Sequence, residues 1–194
     1  MDASFLKSAF NEDHYPPSDR PEIAFAGRSN VGKSSLINVL VNRRKLARTS
    51  STQGRTQAIN FFLTGDNRLY LVDLPGYGFA KVPLKVKASW KNMVETYLRI
   101  RRNLKGVVVI LDIRRELSEG DINLINWLNK YNIYAMPVLT KADKLSRVKA
   151  VTRAKELIKD LEKISCPDPV LFSARTREGR DEIWKRLEVI IEKV

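Results

Sequence analysis

Gly27-Arg28-Ser29-Asn30-Val31-Gly32-Lys33-Ser34 follows directly on the apolar run Glu22 to Ala26, and after it Leu36, Ile37 and Leu40 share a helical face. Strand, glycine-bounded loop and helix, in that order, are the setting in which G-x-x-x-x-G-K-[ST] cradles a polyphosphate. The glycines let the backbone curl so that successive N–H groups point inward, and the helix N-terminus adds its dipole. Lys33 is placed to reach the β- and γ-phosphates. The Ser34 hydroxyl suits Mg2+, which takes oxygen ligands in a small octahedral shell.

Outward from this loop, apolar runs alternate with helical periodicities. Ala58 to Leu63 and Leu69 to Val72 flank Gly65-Asp66-Asn67, which predicts an antiparallel hairpin pair. Val107 to Leu111, Ile133 to Leu139 and Pro169 to Phe172 read as further strands, the first β-branched and suited to burial on both faces. Helical spacing runs from Val148 to Ile164 and from Ile183 to Val194, and Ser118 with Asp121 predicts a capping box opening a helix through Lys130. The expectation is an α/β domain over residues 21–194. Its sheet would be mostly parallel and six-stranded, with one antiparallel edge strand and helices on both faces. Residues 1–20, rich in Asp, Ser and Pro, read as an N-terminal tail or an arm lying on that domain.

Two more motifs fall at predicted strand ends. Asp73-Leu74-Pro75-Gly76 closes the third run, where ligands bind in such sheets. Asp73 would hold Mg2+ through water, and Gly76 would turn its N–H toward a γ-phosphate, so that hydrolysis releases the segment. Thr140-Lys141-Ala142-Asp143 closes the fifth run. The Asp143 carboxylate matches the N1–H and N2–H2 donors of guanine, and adenine would leave that charge unpaired. The Lys141 stem would lie across the base plane. After the sixth run, Ser173-Ala174-Arg175 offers a backbone N–H to the guanine O6. Between the first two strands, Ser50 to Gln57 supplies a hydroxyl to complete the Mg2+ shell, with Thr56 the choice and Thr52 the alternative. Together these motifs predict guanine nucleotide binding.

The 194 residues carry a net charge of +13. Residues 42–68 hold a net +5 and residues 81–105 a net +7, so nearly all of the excess lies in two segments. A solvated face would suffice for solubility. The concentration instead favours an anionic partner, most simply RNA. Composition is that of an ordinary globule, with 43% apolar and 29% charged residues and no internal repeat. The longest apolar run falls far short of the ~20 residues that span a bilayer. One cysteine forms no internal disulfide, and the N-terminus lacks the pattern of a secretory signal. A cytoplasmic monomer without membrane insertion is expected. His14 and Cys166 lack partners at metal or catalytic spacing. Trp127 and Trp184 read as core, whereas Trp90, among lysines, is a candidate for base stacking.

GRSNVGKSS at 27–35, GRTQ at 54–57, DLPGYG at 73–78, TKAD at 140–143 and SA at 173–174 resemble the EngB (YihA/YsxC) family of bacterial GTPases, over essentially residues 20–194. The resemblance implies a Ras-like P-loop NTPase fold and GTP, GDP and Mg2+ binding. It also implies a role in assembling the large ribosomal subunit and a need in cell division and septation. Carried onto this sequence, nucleotide contacts would come from Gly27 to Ser35, Gly54, Arg55, Thr56, Gln57, Asp73 to Gly76, Thr140 to Asp143 and Ser173 to Arg175. The metal would lie at Ser34, Thr56 and Asp73, and catalysis would rest on Lys33 and Thr56. Tyr77 stands where Ras-like enzymes place the glutamine that orients the attacking water, so intrinsic hydrolysis should be slow. Asn30 stands where relatives place an asparagine that helps bind K+. Arg55 is an internal candidate for the same electrostatic role, or a solvated loop residue. Three other readings differ in class: a small-molecule NTPase or nucleotide kinase, an RNA-binding module with a structural nucleotide site, and a division regulator that never touches ribosomes.

Overall fold

Strand β2 (Glu22–Gly27) is buried along its whole length because it has a parallel neighbour on each side, β4 (Tyr70–Asp73) and β5 (Leu104–Asp112). The computed structural model describes residues 2–47, 58–77 and 84–192, with only the backbone for 84–91. Among these the elements run β1 (Ala3–Ala9), β2, α1 (Lys33–Leu40), β3 (Ile59–Thr64), β4, α2 (Leu84–Ile100), β5, α3 (Glu119–Lys130), β6 (Tyr134–Thr140), α4 (Arg147–Glu162), β7 (Val170–Leu171) and α5 (Arg180–Glu192). They form one sheet of order β1-β3-β4-β2-β5-β6-β7.

The period-2 alternation of β2 and β5 divides the core. Ala24, Ala26, Val107, Val109 and Leu111 face one side, where α2, α3 and α4 contribute Tyr97, Leu98, Ile125, Leu128, Leu157 and Leu161. Ile23, Phe25, Val108 and Ile110 face the other, against Leu36, Ile37 and Leu40 of α1 and Ile183, Leu187 and Ile190 of α5. Helices therefore cover both faces, and the apolar continuity of Val107–Leu111 reflects burial on two sides. The predicted α/β class and parallel sheet hold.

The strand count and the edge differ from expectation. The sheet has seven strands, because residues 3–9 of the expected tail pair antiparallel with β3, from Ala3 opposite Thr64 to Ala9 opposite Ile59. β3 runs against the other six strands but is interior, and β1 takes the edge. Only Ala3 and Ala9 of β1 are fully buried, and the register slips between Phe5 and Lys7. That bulge blurs the alternation by which the strand could have been read. Residues 10–21 then run along the domain. Tyr15 packs against Phe61 and Tyr97, and the Pro16 carbonyl accepts from Arg101 Nη1 (3.0 Å).

Helix α2 was not expected. Its apolar Met93, Val94, Tyr97 and Leu98 have helical spacing, but the surrounding lysines and arginines made the stretch read as a charge run. One of those cations is not on the surface at all. Arg101 is 8% exposed and its guanidinium grips the fully buried Glu22, whose Oε2 also accepts from the Tyr97 hydroxyl (2.7 Å). The basic stretch 81–105 therefore presents one charge fewer than its composition suggests.

Candidate nucleotide-binding site

All the parallel strands deliver their carboxyl ends to one edge of the sheet, and the motif segments at 27–35, 73–76, 140–143 and 173–175 converge there. β2 ends at Gly27, where a Cβ would stand 2.9 Å from the Ile110 carbonyl, so only glycine lets the chain leave the sheet so close to β5. Asn30 (φ 62°) and Gly32 (φ 109°) take the left-handed turns that curl the loop, and Gly32 is the N-cap of α1. Lys33 and Ser34 thus open the helix with its N–H groups facing the loop's concavity. The Lys33 ammonium lies against the Asp73 carboxylate at the end of β4, with both side chains largely buried. The two residues that sequence reasoning assigned to phosphate and metal are therefore adjacent.

The loop is also tied to the segment after β4. Arg28 and Tyr77 form a parallel bridge, and the Ser29 N–H donates to the Tyr77 carbonyl (3.0 Å). Leu74 is core, while Pro75 and Gly76 are half-buried above the loop. The Tyr77 side chain turns away to α3, where its hydroxyl donates to Asp121 Oδ1 (2.8 Å). Burial pushes that phenol well above its ordinary pKa, and the Asp121 carboxylate adds to the shift. The phenol is thus a neutral donor at any physiological pH.

On the other side, TKAD braces the loop. The Thr140 hydroxyl lies 2.6 Å from the Val31 carbonyl and 3.0 Å from that of Leu111. Lys141 adopts φ 64° and sends its ammonium to the Asn30 carbonyl (2.7 Å) and to Asp112 Oδ2 (2.9 Å). The Asn30 side chain makes no hydrogen bond among the described residues. Asp143 Oδ1 accepts from the Ser173 hydroxyl (2.8 Å), and Ser173 Oγ in turn accepts from the N–H groups of Arg175 and Thr176. Ala142 donates its N–H to the Phe172 carbonyl (3.2 Å), which locks the TKAD turn to the end of β7. Ala174 and Ser35 border an open groove of about 500 Å3 together with Asn38, Arg43, Arg44 and Arg177.

Sequence reasoning missed Asp112. Its side chain is 4% exposed at the end of β5, held by Arg114 and Lys141. Burial alone would raise its pKa, but hydrogen bonds from Arg114 and Lys141 hold the carboxyl well below the usual range. A charged residue closing an apolar strand at the ligand edge is the signal that could have found it. Thr52, Gly54, Arg55, Thr56 and Gln57 lie outside the described residues, as does the side chain of Trp90. Cys166 is buried, with its thiol pushed up to about 12 by that burial, so it is a packed residue rather than a nucleophile.

The donor set suits one particular metal. Among the described residues no cluster of three His, Cys, Asp or Glu side chains could hold an ion. A single carboxylate and a helix-terminal hydroxyl beside a phosphate loop fit Mg2+, which keeps waters and substrate phosphates in its shell rather than an all-protein cage.

The sequence profile of the family described as "50S ribosome-binding GTPase" matches residues 22–141. Among curated proteins, "Probable GTP-binding protein EngB" of Geobacter metallireducens is 55% identical over 189 residues, covering 97% of this chain and 92% of its own. The protein of the same name from Syntrophotalea carbinolica is 53% identical over 194 residues, covering 99% and 92%.

 Among solved structures, one neighbour is described as "Crystal structure of a probable GTP-binding protein engB". It superposes with a TM-score of 0.71 at 24% identity, covering 89% of this chain and 100% of that one. A structure of Era with MgGDPNP and nucleotides 1506–1542 of 16S ribosomal RNA superposes with a TM-score of 0.66 at 21% identity, covering 90% of this chain and 57% of that one. At these identities the likeness shows the fold alone.

Proposed function

The chain belongs to the EngB family of GTP-binding proteins, within the 50S ribosome-binding GTPases, and from that premise we propose that it is a Mg2+-dependent GTP switch acting in assembly of the large ribosomal subunit. The observation that carries the reading is the convergence of the phosphate loop, Asp73-Leu74-Pro75-Gly76, Thr140-Lys141-Ala142-Asp143 and Ser173-Ala174-Arg175 at one sheet edge.

In this reading Lys33 exchanges the Asp73 carboxylate for the β- and γ-phosphates, and the N–H groups opening α1 hold the same phosphates. Asp73, released from Lys33, and Ser34 then face the metal, with Thr56 completing the set. Mg2+ bound there would neutralise charge between the β- and γ-phosphates. Asp143, oriented by the Ser173 hydroxyl, accepts from the guanine N1–H and N2–H2, and the N–H of Ala174 meets O6, that of Arg175 being spent on Ser173 Oγ. The Asn30 amide oxygen is assigned to K+. Tyr77, turned to α3, leaves the attacking water without a side-chain partner, so intrinsic turnover is slow.

The basic segments 42–68 and 81–105 engage ribosomal RNA, less Arg101, which is buried on Glu22. Among the described residues no helix is long and apolar enough to cross a membrane, and a cytoplasmic monomer is part of the proposal. A need in normal cell division and septation is part of the same proposal. Sedimentation with purified large subunits at low and moderate salt tests the reading, because phosphate contacts weaken steeply as salt rises. Retention with a non-hydrolysable GTP analogue and release with GDP is expected. Equal binding in both states would make the protein an RNA binder with a structural nucleotide site. No binding would overturn the ribosomal reading.

A further inference from the structure

The ladder between β2 and β4 continues beyond Asp73, but with a slip. Leu74 donates its N–H to the Phe25 carbonyl (3.1 Å), and the next rung runs from the Tyr77 N–H to the Gly27 carbonyl (3.3 Å). A regular parallel ladder would use residue 76 there, so one extra residue is looped out at Pro75-Gly76. The Ser29 N–H closes the bulge by donating to the Tyr77 carbonyl. The Gly76 N–H is left outside the ladder and makes no hydrogen bond to another described residue. The bulge sits tightly on the loop: a Cβ at Gly76 would stand 3.3 Å from Ser29 Oγ.

Beside these backbone bonds, the side chain of Tyr77 anchors the bulge to α3. Its ring lies along the start of α3, where a Cβ on Gly120 would be 3.4 Å from Tyr77 Cδ2, and its hydroxyl ends on Asp121 Oδ1. Asp121 has no freedom of its own. It is 3% exposed, and its Oδ2 accepts from the Ser118 N–H (2.8 Å) and hydroxyl (2.6 Å) in the capping box.

We propose that Asp121 is a positioning residue for GTP: by holding the Tyr77 hydroxyl it sets the bulge, and with it the direction of the Gly76 N–H toward the γ-phosphate. The inference rests on the reading above that Gly76 meets that phosphate. GDP lacks the group, so the Tyr77–Asp121 bond contributes to binding GTP and not GDP.

Tyr77→Phe removes the hydroxyl and keeps the ring on Gly120. Affinities for GDP and for the β,γ-imido analogue of GTP are measured with Mg2+, beside kcat and KM for GTP. The analogue should bind about tenfold more weakly, with GDP within about twofold of the unmodified protein. Asn129→Ala removes the bond from Asn129 Nδ2 to the Ile164 carbonyl (2.8 Å) at the other end of α3 and leaves the Tyr77–Asp121 bond; it should lower Tm without moving the analogue-to-GDP ratio. An unchanged ratio in Tyr77→Phe, equal loss for both nucleotides, or tighter analogue binding would overturn the proposal. Gly76→Pro, which removes the N–H itself, separates the two levels. If it shifts the ratio and Tyr77→Phe does not, only the positioning role falls. If neither shifts it, Gly76 is not the γ-phosphate contact, and the switch reading falls as well.

Discussion

Replacing Asp112 by asparagine keeps the shape of the side chain and removes its charge, and the geometry sets the size of the effect. Oδ1 accepts from the Arg114 N–H (3.1 Å) and Nε (2.9 Å), and Oδ2 from Arg114 Nη2 (2.7 Å) and Lys141 Nζ (2.9 Å). An amide has one oxygen, so whichever way it turns, two of these donors meet an NH2 group. Hydrogen bonds to charged groups contribute about 1.5–3 kcal/mol each. The Arg114 side chain is 40% exposed, and water takes over much of its share. The expected cost is therefore about 2 kcal/mol at pH 7, a fall in Tm of roughly 4–8 °C for a domain of this size. The pH dependence has a definite sign. The folded carboxyl titrates well below its unfolded value, so its stabilisation is complete above about pH 4 and is lost as pH falls through the folded pKa. Thermal unfolding followed by circular dichroism from about pH 7 to about pH 2 should show the two proteins drawing together below about pH 4. Equal Tm values at pH 7, or curves that stay parallel on acidification, would refute the assignment of a stabilising charge to Asp112.

Asp143→Asn should move base preference from guanine toward xanthine, because the amide donates where xanthine accepts; competition between the two diphosphates checks it. Arg101→Ala strands the buried Glu22 charge and should cost about 3–5 kcal/mol in denaturant unfolding, whereas Arg68→Ala, which breaks an exposed pair with Asp66, should cost under about 1 kcal/mol. Exchanging K+ for Na+ at equal ionic strength should lower GTP turnover; unchanged turnover and affinity would remove the cation from Asn30.

The parts of the molecule that sequence reasoning reached are those whose determinants are local. The phosphate loop, the Asp73 strand end and the TKAD turn each carry their residues within a few positions of a strand terminus, and the Ser118–Asp121 cap closes over three residues. What it missed depends on partners far along the chain. Strand β1 exists because β3 is there to pair with it more than fifty residues later. Arg101 counted as surface charge because Glu22 is remote in sequence, and Asp112 looked like a strand end until Lys141 was placed beside it. Tyr77 was read by what it lacks, an amide to align water. Its partner Asp121, 44 residues on, supplied the rest.

Helix α1 shows what such distance means for the order in which the domain is made. Its last carbonyls are satisfied from α5: Arg180 Nε donates to Val39 (3.1 Å), and Trp184 Nε1 donates to Leu40 (3.0 Å). Those donors are synthesised about 140 residues after the helix they cap. During vectorial synthesis the phosphate loop and its helix emerge early, yet the helix lacks these two donors and one wall of its core until α5 leaves the ribosome. Such non-local closure is slow. A nascent chain of this protein therefore acquires a finished nucleotide cradle only once α5 has been made.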